Sequence, residues 1–261
     1  MKFLIAMTLR NATGIVIRSL DFGESDKIVT FFTLEKGKLK GIAKGARRSR
    51  KRFSNCLDLF CHVKLQFFEK EDRSLTRVDQ CDGVDFFPEL SEDFVKMSYG
   101  SYFVELVDAL VRERQVNRGV FALLRSFLST LARHAPREEM LRVFEIRLLS
   151  LVGYRPHLDG CVNCLKSVEE MEGVYFDPAR GGILCERCYN PKERVFSVSK
   201  GTVKLLVKSS DTELDKIQRL RFTPSALRES RGMLPDFIQH HVDRPLKSLR
   251  FLESMKVGVS S

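Results

Sequence analysis

No stretch of this sequence holds the ~20 consecutive apolar residues that cross a bilayer, which excludes a transmembrane helix, and no membrane partner is expected. The apolar run Phe3–Met7 falls short of the ~7–15 residues of a signal-peptide core, so a cytoplasmic protein is expected. Seven cysteines cannot all pair within one chain, and in a reducing compartment they should stay as thiols. The phosphate loop GxxxxGK[ST], the dinucleotide turn GxGxxG, and the HExxH and GxSxG signatures are all missing. There is no internal repeat and no low-complexity tract. The acidic clusters near Glu69–Asp72, Asp79–Asp85 and Glu89–Asp93 would have to carry any metal-dependent nuclease, and they lack ligand spacing. No catalytic residue is assigned, and a non-enzyme is expected.

One further absence is local. Between Lys36 and Arg52 there is no acidic residue, while nine are basic: Lys36, Lys38, Lys40, Lys44, Arg47, Arg48, Arg50, Lys51 and Arg52. The net charge is +10, and the remaining 35 basic residues face 34 acidic ones, so this segment carries nearly the whole excess. Such concentration points to an electrostatic site for phosphates. Lys38, Lys40, Lys44, Arg47, Arg48, Arg50, Lys51 and Arg52 are the candidate DNA contacts. Phe53, with Phe31 and Phe32, is a candidate base-stacking ring. Nothing in the segment reads base edges, so little sequence specificity is expected. At ~0.7 of a log–log salt slope per phosphate on single strands, six engaged cations would give a slope near −4.

The first 88 residues read as β structure. Thr13–Leu20, Lys27–Leu34, Gly37–Ala43, Asp58–Glu69 and Ser74–Val84 are short β-branched, aromatic or alternating runs, with turn residues between them. Five strands in so short a span fit an oligonucleotide-binding (OB) barrel or an SH3-like one. After Pro88 the period becomes helical. One helix includes Phe94–Val111 with Ser91 as its expected N-cap, and others cover Val120–Leu131 and Arg137–Val152 before Gly153. Further helices are expected over Lys200–Lys208, over Pro224–His241 behind an N-capping Thr223, and over Leu246–Met255.

Between the helices lie Cys161-x-x-Cys164 and Cys185-x-x-Cys188. Two such knuckles close a tetrahedral thiolate site, so Cys161, Cys164, Cys185 and Cys188 are the candidate ligands of one structural zinc ion. Gly181 and Gly182 suit the turn that presents Cys185, and Val174–Phe176 a small hairpin. His157 is a bystander, and Cys56, Cys61 and Cys81 are small buried hydrophobes. The fold expected is α+β and multidomain: an OB-type barrel over 1–88, a helical domain beginning over 89–155, a four-cysteine zinc-finger insertion over 156–195, and the rest of the helical domain over 196–261.

Several segments together resemble the RecO family of bacterial recombination mediators. They are Gly14–Arg18 (GIVIR), Gly23–Val29 (GESDKIV) and Ala43–Arg48 (AKGARR), then Phe144–Asp159 (FEIRLLSLVGYRPHLD) running into Cys161–Cys164 (CVNC), and Gly181–Cys188 (GGILCERC). The resemblance implies an OB fold before a helical domain with a zinc finger. It implies binding to single- and double-stranded DNA, annealing of complementary strands, and help in loading RecA onto DNA coated by single-strand-binding protein. It implies RecR and the C-terminal tail of single-strand-binding protein as partners, with RecA engaged indirectly. A zinc-bearing RNA-binding or translation-associated factor is the alternative, since it would share the barrel, the basic loop and the cysteine pairs.

Overall fold

A computed structural model describes residues 8–49, 51–53, 55–69 and 75–257. Five strands, β1 (Thr8–Phe22), β2 (Asp26–Thr33), β3 (Gly37–Ala43), β4 (His62–Glu69) and β5 (Thr76–Asp85), close into a barrel in the order β1-β2-β3-β5-β4. All neighbours are antiparallel except β3 and β5, which pair in parallel from Gly41–Thr76 to Ala43–Val78. This five-stranded order with its crossover is the OB type of barrel. β1 serves both sides of the closure, pairing with β4 over Thr8–Ile15 and with β2 over Gly14–Phe22. A bulge between Val16 and Arg18 supplies the added twist that lets one strand turn from one partner to the other.

Alternation along the strands sends one set of side chains inward. Ala12, Val16, Val29, Phe31, Leu39, Ala43, Val63, Leu65, Phe67, Val78 and Cys81 form a single core, plugged by Phe53, Cys56 and Leu57 from the connection between β3 and β4. The expected fourth strand begins later than its alternation suggests, at His62 instead of Asp58. Asn55 and Phe60 have φ of 61° and 74°, a left-handed conformation that interrupts an extended chain. Ser74, the expected start of the fifth strand, lies outside the described residues, as do Glu71 and Asp72 of the first acidic cluster. Cys56, Cys61 and Cys81 are buried and unpaired, as the sequence implies. Burial pushes the Cys61 thiol up to about 11, and a hydrogen bond with Cys56 together with burial raises that of Cys81, so both stay protonated.

After the barrel come α1 (Pro88–Glu92), α2 (Phe94–Leu110) and α3 (Arg118–Arg133). Ser91 does not cap the first long helix; it lies within α1. The cap is Asp93, whose carboxylate accepts from the amides of Val95 and Lys96 at 2.8 and 3.0 Å. The chain up to Ala135 groups with the chain from Leu246 on as one compact unit, and Pro136–Pro245 forms a second. The second unit holds α4 (Glu138–Leu151), a three-stranded sheet of β7 (Gly182–Cys185), β6 (Val174–Asp177) and β8 (Phe196–Ser197), then α5 (Lys200–Asp211) and α6 (Pro224–Gln239). Thr223 caps α6 as expected, accepting from the Ala226 amide. Arg142 and Glu145 of α4 form an ion pair at 2.8 Å with side chains 2% and 0% exposed.

The last helix, α7 (Lys247–Val257), returns to the first unit and packs on α2. Glu105 of α2 accepts from the amides of Lys247 and Ser248, placing a negative charge at the N-terminus of α7. The helices of this unit cover part of the barrel's outside, where Ile15 and Phe32 are fully buried. No helix among the described residues is long and apolar enough to cross a membrane.

Candidate nucleic-acid interface and cysteine cluster

The barrel's closure decides which cations share a surface. On β1, Arg18 pairs with Thr30 of β2, and Thr30 pairs with Lys40 of β3. The next outward row runs from Leu20 through Ile28 and Ile42 to Arg77 on β5. Arg18, Lys40 and Arg77 are exposed and therefore stand together on one outer face, with exposed Lys44 just beyond the end of β3. Arg77 also lies over the Phe68 ring, 5.9 Å from its centroid. Arg18 and Arg77 are absent from the candidates the sequence offers, because each is a single basic residue in an otherwise mixed strand. Only register brings them to Lys40.

The dense basic segment divides into separate roles. Lys38, a candidate DNA contact by sequence, is instead structural: its side chain is 12% exposed, and Nζ lies 3.4 Å from an Asp108 carboxylate oxygen and donates to the Asp108 carbonyl at 2.7 Å. Arg52 is half-buried and donates to the Lys44 carbonyl at 2.7 Å at the surface, lying 4.9 Å from the centroid of the Phe53 ring, so it ties the loop to itself. Phe53 is 2% exposed in the barrel core, with Phe31 and Phe32 also buried, so none of the three offers a ring to a base. They are the large residues that fill and seal the barrel. Lys40, Lys44, Arg47, Arg48 and Lys51 remain exposed, and Arg50 lies outside the described residues.

The absence of acids in this segment is a property of the sequence and not of the surface. The hairpin between β1 and β2 brings Asp21 to 3.7 Å from Arg47 and Glu24 to 3.7 Å from Arg48. These pairs are long and solvated, worth about 0–1 kcal/mol, so a phosphate can replace either carboxylate.

In the second unit, the four sulfurs of Cys161, Cys164, Cys185 and Cys188 lie within 4.8 Å of one another. Those of Cys164 and Cys185 are 3.7 Å apart, against the about 3.8 Å edge of a tetrahedron with about 2.3 Å metal–sulfur bonds. Gly181 has a φ of +73°, and a Cβ on Gly182 would meet Val162 Cγ1 at 2.5 Å and the His157 carbonyl at 2.7 Å, so both glycines are required for the second knuckle to approach the first. The same contact explains His157: its backbone bridges Gly181 and Ile183, while its ring is not one of the grouped ligands. Lys166 and Glu186 clasp the knuckles at 2.6 Å. Burial opposes ionisation of Cys161, but the amides of Cys164, Cys185 and Asn163 outweigh it and bring the thiol down to about 6. The Cys188 thiol moves the other way, up to about 12, because its hydrogen bonds with Cys185 and Cys164 keep its proton, so a full set of thiolates would need a cation at the centre. Among the described residues this is the one grouping of three or more such ligands, and the acidic clusters do not converge.

The chain's likeness to known proteins covers both units. Residues 7–87 match the family model for the Recombination protein O N terminal, and residues 91–250 the one for the Recombination protein O C terminal. A "DNA repair protein RecO" of Syntrophus aciditrophicus is 38% identical over 245 residues, covering 93% of this chain and 95% of that protein. One of Symbiobacterium thermophilum is 38% identical over 252 residues, 96% of this chain and 99% of its own, and one of Anaeromyxobacter sp. strain K is 36% identical over 243 residues, 93% and 95%. With both halves matched in order and relatives aligned along nearly their whole length, the chain belongs to the RecO (Recombination protein O) family.

Proposed function

We propose that this protein is a non-enzymatic DNA-binding recombination mediator in the cytoplasm. It would anneal complementary strands and help load RecA onto single-stranded DNA coated by single-strand-binding protein, as part of recombinational repair. The observation that carries the reading is the outer barrel face, where Arg18, Lys40, Lys44 and Arg77 converge by strand register, none of them in an ion pair among the described residues. Phosphates would take the place of their water and counter-ions, and the counter-ions released favour binding. Screening both backbones at one surface lowers the repulsion between two strands, which is the barrier that annealing must cross. The names carried by the relatives, DNA repair proteins, support the same role.

The four cysteines would hold one structural zinc ion. The ion supplies cross-linking of two turns that are too short to stabilise themselves by burial. Cys161 and Cys185 anchor it from the buried side and Cys164 and Cys188 close it from the solvent side, leaving no open position for chemistry. RecR and the C-terminal tail of single-strand-binding protein would be the protein partners. Annealing measured on bare strands and on strands coated by single-strand-binding protein tests the reading.

A further inference from the structure

The rings expected to meet bases are inside the barrel, yet the cationic face is not purely polar. On β1, Leu20 is 47% exposed, and Phe22, two residues on and therefore on the same side, is 52% exposed. Leu20 pairs with Ile28, and Ile28 with Ile42, both half-buried. The barrel core is complete without these four. Ile42 follows Lys40 by two residues and precedes Lys44 by two, and it pairs across to Arg77. Leu20 stands between Arg18 and Phe22 on the same outward side of its strand. The result is an apolar strip three strands wide, about 10 Å across. It is flanked along β3 by Lys40 and Lys44, along β1 by Arg18 and Phe22, along β2 by Thr30 and by Asp26, whose carboxylate accepts from the Gly45 amide, and at one end by Arg77.

We propose that Phe22, Leu20, Ile28 and Ile42 form a base-packing floor that makes this face take unpaired strands in preference to duplex. The proposal rests on the reading of this face as a DNA surface. A duplex hides its ring faces in its own stack and offers the barrel only phosphates, which the cations meet equally well on either form. An unpaired strand carries the same phosphates with apolar ring faces free to lie on the strip, so it gains a contact that the duplex cannot make. The floor is mostly aliphatic and has no hydrogen-bonding groups, so it would accept any base. An acidic peptide with apolar side chains shares this chemistry. It is the weaker fit, because Arg18, Lys40, Lys44 and Arg77 set four cations around one short strip, a density that suits a backbone with a charge at every unit.

The test uses the full chain with Phe22→Ala, and separately with Leu20→Thr and Ile42→Thr together, all of which keep every cation. Binding is read by fluorescence anisotropy with a labelled single strand and with that strand annealed to its complement, at several salt concentrations. Circular dichroism and melting establish folding, and the exposed Phe22 variant remains informative if the other does not fold. Affinity for the single strand should fall about tenfold, affinity for duplex should stay within about twofold, and the salt slope should not change. Equal losses on both forms, or no loss on the single strand, would overturn the proposal. So would variants that keep single-strand affinity but lose binding to an acidic, apolar peptide. If Arg18→Ala with Lys40→Ala leaves DNA binding untouched, the underlying reading of the face fails instead.

Discussion

Arg18 and Lys40 both pair with Thr30, from opposite sides, so two cations from distant parts of the sequence stand in one row on the outside of the barrel. The row exists because the bulge after Val16 sets the register of the second half of β1. A cation placed this way by backbone pairing needs no loop to hold it.

That arrangement predicts that Arg18→Ala and Arg77→Ala each weaken DNA binding as much as Lys40→Ala does. Each should also reduce the log–log salt slope for a single strand by about 0.7. Titrations at several salt concentrations check this. A slope unchanged by Arg77→Ala would remove β5 from the interface.

Lys38→Ala should behave differently although it lies beside Lys40. Its charge is spent on Asp108, so the variant should lose about 1.5–3 kcal/mol of stability in urea unfolding. Its salt slope for DNA should match that of the unaltered protein.

The buried Arg142–Glu145 pair makes a prediction for the second unit. Arg142→Ala removes the guanidinium that faces the buried Glu145 carboxylate and donates to the Ser230 carbonyl, and should cost about 3–5 kcal/mol. Replacing both, as Arg142→Met with Glu145→Leu, should recover most of that loss. Thermal unfolding of the three variants against the parent measures it.

Removing metal with a chelator, or Cys161→Ser, should lower the melting temperature and raise protease sensitivity between Pro156 and Arg194. DNA affinity should change little, because the barrel face contains none of the four cysteines. A well-folded Cys161→Ser protein that no longer binds DNA would give the cluster a direct role in binding.

The sequence is most informative where a property is carried by neighbours in the chain. The two cysteine knuckles, the five strand runs, the Thr223 cap and the family segments can all be read, because spacing or a short motif encodes each. It is least informative where the property belongs to neighbours in space. The run Lys36–Arg52 is unopposed along the chain, yet Asp21, Glu24 and Asp108 come to it through the β1–β2 hairpin and α2. Phe53 sits beside a basic loop in sequence and inside the core in three dimensions, since the loop's end must plug the barrel. Phe22 and Leu20 lie in an ordinary strand pattern, and only the register places them among the cations.

What separates a mediator from a simple polycation is that it overcomes the barrier to pairing on strands already covered by another protein. The direct measurement is annealing of two complementary oligonucleotides, each saturated with single-strand-binding protein, with and without this protein. Annealing of the coated strands should accelerate, and the acceleration should vanish when Arg18, Lys40 and Arg77 are replaced together. Acceleration on bare strands alone would contradict the mediator role, because charge screening by a polycation would then explain the activity.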